Sequence, residues 1–318
     1  MGPASHVQIQ RRDVVDLGSF NFEVFQIRLY FWLIRHNHPM DYFRISLAAQ
    51  GSSPQDLGIE PGNYLITGAS GEIGLALTKF LSSKTGVTVL AGVKNEERFR
   101  QAGLDRLPNV VPILTTAEGF ESVFRSGNEI KGVIHCEGTY GEIGAITEID
   151  LENWVDHLAT STKRTLLLIR SMAGSKQQTQ IASIFLGGGG ATEAYIGLAN
   201  YSAIKSTLVR IIETSALEID PAKLVLNVLG PGPTNSRMVE AVLTSDKRID
   251  SRIMSGSLRL RDSNKTTSDR LLHSITFLFS SKGRKLNGNF LSAEWDNWES
   301  IDTSNENNYK LRRVIPIQ

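Results

Sequence analysis

The sequence is poor in the features that mark a secreted scaffold, a membrane protein or a nucleic-acid binder. It has one cysteine in 318 residues, so no intrachain disulfide can form. Cys136, at the expected end of a buried strand, reads as a small packed hydrophobe and not as a reactive thiol. The net charge is +1, from 34 basic and 33 acidic side chains, which gives no electrostatic reason to expect nucleic acid or an anionic membrane as partner. No apolar run approaches the roughly 20 residues of a membrane span, and the longest near the start, residues 25–34, is interrupted by Gln26 and Arg28. The opening MGPASHVQIQRR lacks both the apolar core of a signal peptide and the myristoylation pattern, so a cytoplasmic protein is expected. His36 and His38 have no cysteines or acids at ligand spacing, and no metal site is expected. Repeats and low-complexity tracts are absent. The remaining composition, 41% hydrophobic and 21% charged, is that of an ordinary globular domain with a large core.

Against that background, the run NYLITGASGEIGLALTKFL stands out as a short apolar strand, a glycine turn and an amphipathic helix. Such a unit binds nucleotide phosphates for a physical reason. Gly68 makes the tight turn after Thr67, Gly71 lets a pyrophosphate approach the backbone, and Gly74 lets helix and strand pack closely. The helix start offers free N–H groups to the anion. Ser70 and Ile73 belong to the same turn. About 130 residues further on, ANYSAIK places Tyr201 and Lys205 four apart, on one face of a helix. A tyrosine titrates near 10. A neighbouring ammonium favours its phenolate, which lets the hydroxyl exchange a proton with a carbonyl or alcohol near neutral pH.

Strands are expected at about 64–67, 88–92, 110–114, 132–136, 180–186, 224–229 and 289–292, and helices near 72–83, 151–172, 199–219 and 268–280. The alternation indicates an α/β fold with a doubly wound parallel sheet, a Rossmann fold. Residues 1–60 form an N-terminal extension and linker, 61–300 the main domain and 301–318 a tail. Within the extension, FNFEVFQIRLYFWLIRHNHPMDYF is aromatic enough to require burial, as a strand or helix packed on the domain or on another subunit.

The ordered landmarks TGASGEIG, VIHCEG, Tyr201 with Lys205, and LNVLGPGPTNSRM resemble the short-chain dehydrogenase/reductase family across residues 62–298. The resemblance implies that Tyr201 is the catalytic acid/base and that Lys205 binds the nicotinamide ribose and lowers the tyrosine pKa. It also implies that Gly138 lines the cofactor site and that Pro231, Gly232 and Thr234 close over the nicotinamide. The long helices near 151–172 and 199–219 commonly form a dimer interface in that family, so a homo-oligomer, or a hetero-oligomer with a related subunit, is implied.

Four departures accompany these matches. The family's catalytic serine falls among the four glycines at 187–190, and its asparagine at Ser161. Its Asn-Asn-Ala-Gly run has become His135, Cys136, Glu137 and Gly138, and the acid that contacts adenine is replaced around Leu114 and Thr115. Either backbone N–H groups of the glycine loop, with Thr192, take over the serine's role, or the site does no chemistry. A gain in turnover from Gly188→Ser would show that the loop had not replaced the serine.

Cofactor choice turns on the end of the second strand, where an acid would bind the ribose 2′-OH of NAD. The residues there are Val93, Lys94 and Asn95, so Lys94, supported by Arg98 or Arg100, points to the 2′-phosphate of NADP, with NAD as the alternative. Beyond Pro231, Arg248, Arg252, Arg259 and Arg261 are either ligands for an acidic substrate group or a solvated lid face. The expected function is an NADP-preferring oxidoreductase that interconverts a small-molecule carbonyl and a secondary alcohol. Two alternatives stand beside it: a non-catalytic subunit that assembles with an active paralogue, and a sugar-nucleotide epimerase or dehydratase, suggested by glycines at 68, 71 and 74.

Overall fold

The computed structural model describes residues 6–8, 14–16, 58–263, 267–304 and 309–311. The chain divides into two units, residues 1–56 and 57–318. In the first, β1 (His6–Gln8) pairs antiparallel with β2 (Val14–Asp16), Val7 opposite Val15. The aromatic run at 20–43 lies outside the described residues, as do His36 and His38.

The second unit is a seven-stranded parallel sheet in the order β5-β4-β3-β6-β7-β8-β9. Its strands are β3 (Gly62–Thr67), β4 (Val87–Val93), β5 (Val110–Leu114), β6 (Ile130–His135), β7 (Ile181–Leu186), β8 (Leu224–Gly230) and β9 (Asn289–Ser292). Strands covered on both faces need continuous apolar runs, and β3 supplies one. Tyr64 and Ile66 enter one core layer with Leu77, Leu81, Leu271 and Ile275, while Leu65 enters the other with Phe120, Leu168, Met172 and Val209. The strand direction of assembly reverses between β3 and β6, which creates a crevice at their carboxyl ends.

Helices cover both faces. α1 (Glu72–Ser82) and α2 (Glu96–Gln101) follow β3 and β4, and α3 (Ala117–Arg125), α4 (Leu151–Ala173) and α5 (Ala199–Glu218) follow β5, β6 and β7. α6 (Arg237–Leu243), α7 (Ser251–Ser263) and α8 (Asp269–Phe279) lie between β8 and β9. Short polar residues start several of them as expected for N-caps: Asn95 accepts from Arg98 N, Thr116 from Gly119 N, Asp150 from Asn153 N and Ser268 from Leu271 N. Beyond residue 300 the chain still packs on the sheet. Ile301 is buried, Phe290 N donates to Tyr309 O at 2.6 Å, and Leu311 N donates to Glu213 Oε1 at 2.8 Å. No described helix is long and apolar enough to cross a membrane.

Candidate active site

Every segment singled out for the site reaches the carboxyl edge of the sheet. The glycine turn leaves β3, Lys94 follows β4, the 135–138 run ends β6, the four glycines follow β7, and Pro231, Gly232 and Thr234 follow β8.

The turn is shaped by backbone contacts that admit no side chain. Gly68 has φ +67, and a Cβ on it would lie 3.1 Å from the Cys136 carbonyl carbon and the Glu137 nitrogen. A Cβ on Gly74 would lie 2.2 Å from Gly68 O. Gly71 differs, because a Cβ there would meet only Gly68 O at 3.3 Å and Arg237 Nη2 at 3.8 Å. Its outward side is otherwise open, and no side chain caps the start of α1. A cradle closed from within and open outward, at an uncapped helix start, fits a dinucleotide phosphate. Ser70 and Ile73, also in this turn, are half-buried.

His135 stands opposite Thr67 in the ladder, and its Nδ1 shares a 2.6 Å hydrogen bond with Thr67 Oγ1. Burial pushes its pKa down to about 4; Glu137 acts in the opposite sense, and Lys205 and Arg164 depress it further. The unfolded chain protonates this histidine near its usual 6.5, so between about 6.5 and about 4 the unfolded state binds the proton and the folded state does not. Stability is therefore retained above that window and falls through it on acidification, by on the order of 3 kcal/mol. His135→Asn is expected to flatten this slope in denaturant titrations at stepped pH; an unchanged slope would rule the residue out as its source.

Tyr201 and Lys205 share the inner face of α5, as the spacing requires. Lys205 is buried, and its Nζ donates to Leu186 O at 2.9 Å. Burial lowers its pKa to about 8, while Cys136 acts in the opposite sense. A Cβ on Gly138 would sit 3.5 Å from this ammonium. The Tyr201 phenol does not follow the expectation of a depressed pKa. Burial raises it, followed by the phenols of Tyr140 and Tyr195, and Lys205 Nζ lies 6.0 Å from its ring centroid. The ring packs edge-on against Tyr140 at 4.9 Å.

Three of the four glycines are a packing surface for tyrosines, while Gly187 faces Val228 and Phe290. A Cβ on Gly188 would lie 2.1 Å from the Tyr201 hydroxyl, one on Gly190 2.6 Å from its Cδ1, and one on Gly189 2.5 Å from the Tyr195 hydroxyl. Thr192 Oγ1 donates to Gly189 O at 3.2 Å within this loop.

Several pairings between distant segments organise the site. Asn200 is fully buried; its side chain accepts from Glu142 N at 2.9 Å and donates to Trp154 O at 3.0 Å. It thereby fixes the 139–142 loop and α4 beside Tyr201. Glu137, in the run that departs from the family pattern, is ion-paired with Arg164, three residues after Ser161. Arg252 is bound to Asp250 and Glu193 and lies 5.5 Å from the Tyr195 ring, so of the four lid arginines this one ties α7 to the loop before α5. Glu72 pairs with Arg237 at 3.3 Å. Adjacency to Tyr201 was a sequence signal for Asn200; the others become visible only when distant segments meet. Among the described residues, no group of three or more metal-ligating side chains occurs.

A doubly wound sheet with a glycine cradle at its switch point belongs to the dinucleotide-binding α/β class of folds. Within that class the chain belongs to the short-chain dehydrogenase/reductase family. A family model described as enoyl-(acyl carrier protein) reductase matches residues 115–301, more than half of the chain. The chain is 26% identical over 197 residues to the 3-oxoacyl-[acyl-carrier-protein] reductase FabG of Buchnera aphidicola, covering 58% of this chain and 78% of that protein. It is 23% identical over 260 residues to the uncharacterized oxidoreductase YvaG of Bacillus subtilis, covering 75% and 96%. Among solved structures it resembles a short chain dehydrogenase from Escherichia coli CFT073 complexed with NADPH, at TM-score 0.58 and 22% identity, covering 76% and 100%. It also resembles a short chain dehydrogenase/reductase from Saccharomyces cerevisiae, at TM-score 0.64 and 15% identity, covering 73% and 96%.

Proposed function

We propose that this protein is an NADP-preferring oxidoreductase that interconverts a carbonyl and a secondary alcohol on a small molecule. The observation that carries the reading is the half-buried Tyr201, its hydroxyl over Gly188, one helical turn from a buried Lys205 and at the same sheet edge as an open phosphate cradle. Gly68, Ser70, Gly71, Ile73 and Gly74 would hold the pyrophosphate, Gly138 and Lys205 the nicotinamide ribose, and Pro231, Gly232 and Thr234 the nicotinamide side. The nicotinamide supplies or accepts the hydride when bound. Tyr201 passes the proton to or from the substrate oxygen, and Lys205 fixes the ribose beside it. The raised phenol pKa keeps Tyr201 protonated at neutral pH, which suits it to donate a proton to a carbonyl in the reductive direction.

Support for NADP comes from Lys94. It is exposed and makes no ion pair among the described residues, whereas Arg100 is held by Glu96 at 2.9 Å. The NADPH complex of the Escherichia coli neighbour agrees with that preference. Lys94→Ala is expected to weaken NADPH binding about tenfold, the loss of one charge-assisted contact, and to leave NADH unchanged. Calorimetric titration with both nucleotides tests this, and a parent protein preferring NADH would sink the assignment. A carbonyl panel headed by a 3-oxoacyl thioester, the substrate type in the name of the Buchnera relative, tests turnover.

One competing reading has a specific observation behind it. A serine at position 188 would displace the Tyr201 hydroxyl, 2.1 Å from its Cβ, so the site lacks the family's serine beside the tyrosine, which favours a dinucleotide-binding subunit without turnover. Nucleotide binding with no oxidation of NADPH across the panel would select that reading. Exposed Leu151, Val155 and Leu166 on α4 support self-association through this helix in either case.

A further inference from the structure

We infer that Arg237 is the cationic ligand of the cofactor's diphosphate, and that Glu72 holds its guanidinium beside the glycine turn until the nucleotide arrives. The inference rests on the dinucleotide reading above and adds a residue that the glycine pattern does not contain. Arg237 opens α6, directly after the loop bearing Pro231 and Gly232, while Glu72 opens α1 directly after Gly71. Their ion pair, Nε to Oε1 at 3.3 Å, therefore bridges the two segments assigned to opposite ends of the cofactor's reactive half. The other end of the guanidinium, Nη2, lies 3.8 Å from where a Gly71 Cβ would be, on the otherwise open side of the cradle.

Charge explains why a cation is needed there. A helix start attracts an anion through its free N–H groups and dipole, yet here the first helical residue is itself an acid. The Glu72 carboxylate opposes an arriving diphosphate, and only a cation within reach of both reverses that. Arg237 has the suitable form, a planar fork that can contact two phosphate oxygens at once. It also has the freedom: its side chain is 64% exposed, and an exposed ion pair is weak enough to exchange partners.

The test is a titration of the full chain with NADPH and with NADH, reading affinity and its salt dependence. Arg237→Ala is expected to weaken both nucleotides by the same factor, about tenfold or more, because the diphosphate is common to them. It should also reduce the slope of log affinity against log salt, with the melting temperature unchanged. Glu72→Gln, which removes the competing carboxylate, is expected to tighten both nucleotides about two- to fivefold. The inference is overturned if Arg237→Ala leaves both affinities within about twofold, a change too small for a lost charge-assisted contact. It is also overturned if that variant weakens NADPH alone, or if Glu72→Gln weakens binding. A parent protein that binds neither nucleotide removes the dinucleotide reading itself, a result distinct from variants failing beside a binding parent.

Discussion

Tyr201→Phe is expected to reduce NADPH-dependent carbonyl turnover by about a thousandfold, within the range of about 10²–10⁴ for a positioned general acid, while leaving nucleotide affinity within about twofold. Packing on two sides holds the phenol. Its ring is fixed by Tyr140 on one edge and by the glycine loop below, so the phenylalanine ring keeps the same contacts. No hydrogen bond from the Tyr201 hydroxyl occurs among the described residues, and removing it strands no partner. Stability should therefore change by less than about 1 kcal/mol. A loss of turnover without a loss of folding or cofactor binding isolates the proton. Lys205 does not enforce a phenolate here: burial raises the tyrosine pKa, and the lysine is itself lowered to about 8. The reductive direction, which consumes a proton, should thus be the faster one at neutral pH. NADPH oxidation against the carbonyl panel, parent beside variant, measures this. Residual turnover above about a tenth of the parent's would remove Tyr201 from the role of acid.

The fold was largely legible because it rests on local signals. Each parallel strand is a short run of apolar side chains bounded by glycine or polar turns, and expected limits such as 110–114 and 289–292 coincide with the observed ones. The helices at 72–82, 151–173, 199–218 and 269–279 carry apolar faces long enough to read. α2 has six residues and one buried side chain, Phe99, and offers too little periodicity to detect. α6 and α7 lie where the sequence is rich in Ser and Arg; α7 buries only Ser257, so the segment offers no apolar stripe from which a helix can be read.

The site was legible only in part, for a different physical reason. Tyr201, Lys205 and the glycine turn announce themselves by spacing within a single element, which a sequence preserves. The rest of the site depends on pairs from different segments of the chain: Gly188 with Tyr201, Asn200 with Glu142, Glu72 with Arg237 and Glu137 with Arg164. Nothing in the spacing of 72 and 237 reveals that β3 and β8 deliver them to the same mouth. For the same reason a phenolate-stabilising lysine was inferred from a four-residue interval, whereas desolvation by the surrounding loops decides the sign of the shift.

The glycine at 188 is where this difference has its largest experimental consequence. The family's serine falls among the glycines at 187–190, and a gain in turnover from Gly188→Ser would show that the loop had not replaced it. The packing around position 188 predicts a loss instead. A Cβ at 188 would lie 2.1 Å from the Tyr201 hydroxyl and 3.2 Å from its Cζ, so serine displaces either the ring or the loop. Both outcomes take the acid away from its place. Turnover should fall about a hundredfold or more, approaching the Tyr201→Phe level. Overpacking should cost about 1–3 kcal/mol, read as a melting temperature lower by roughly 2–12 °C for a domain of this size. The obstructing atom is the hydroxyl oxygen, which yields a sharper test in the double variant. With phenylalanine at 201 the nearest contact becomes the one at 3.2 Å, which a small shift of the ring can relieve. Gly188→Ser should therefore destabilise the Tyr201→Phe protein less than the parent, a coupling of about 1 kcal/mol or more between two residues that touch. Equal losses in both backgrounds would mean that the glycine is required by its own backbone and not by the tyrosine. A rise in turnover would show that the ring has room to move aside, and that a serine at 188 can act beside it.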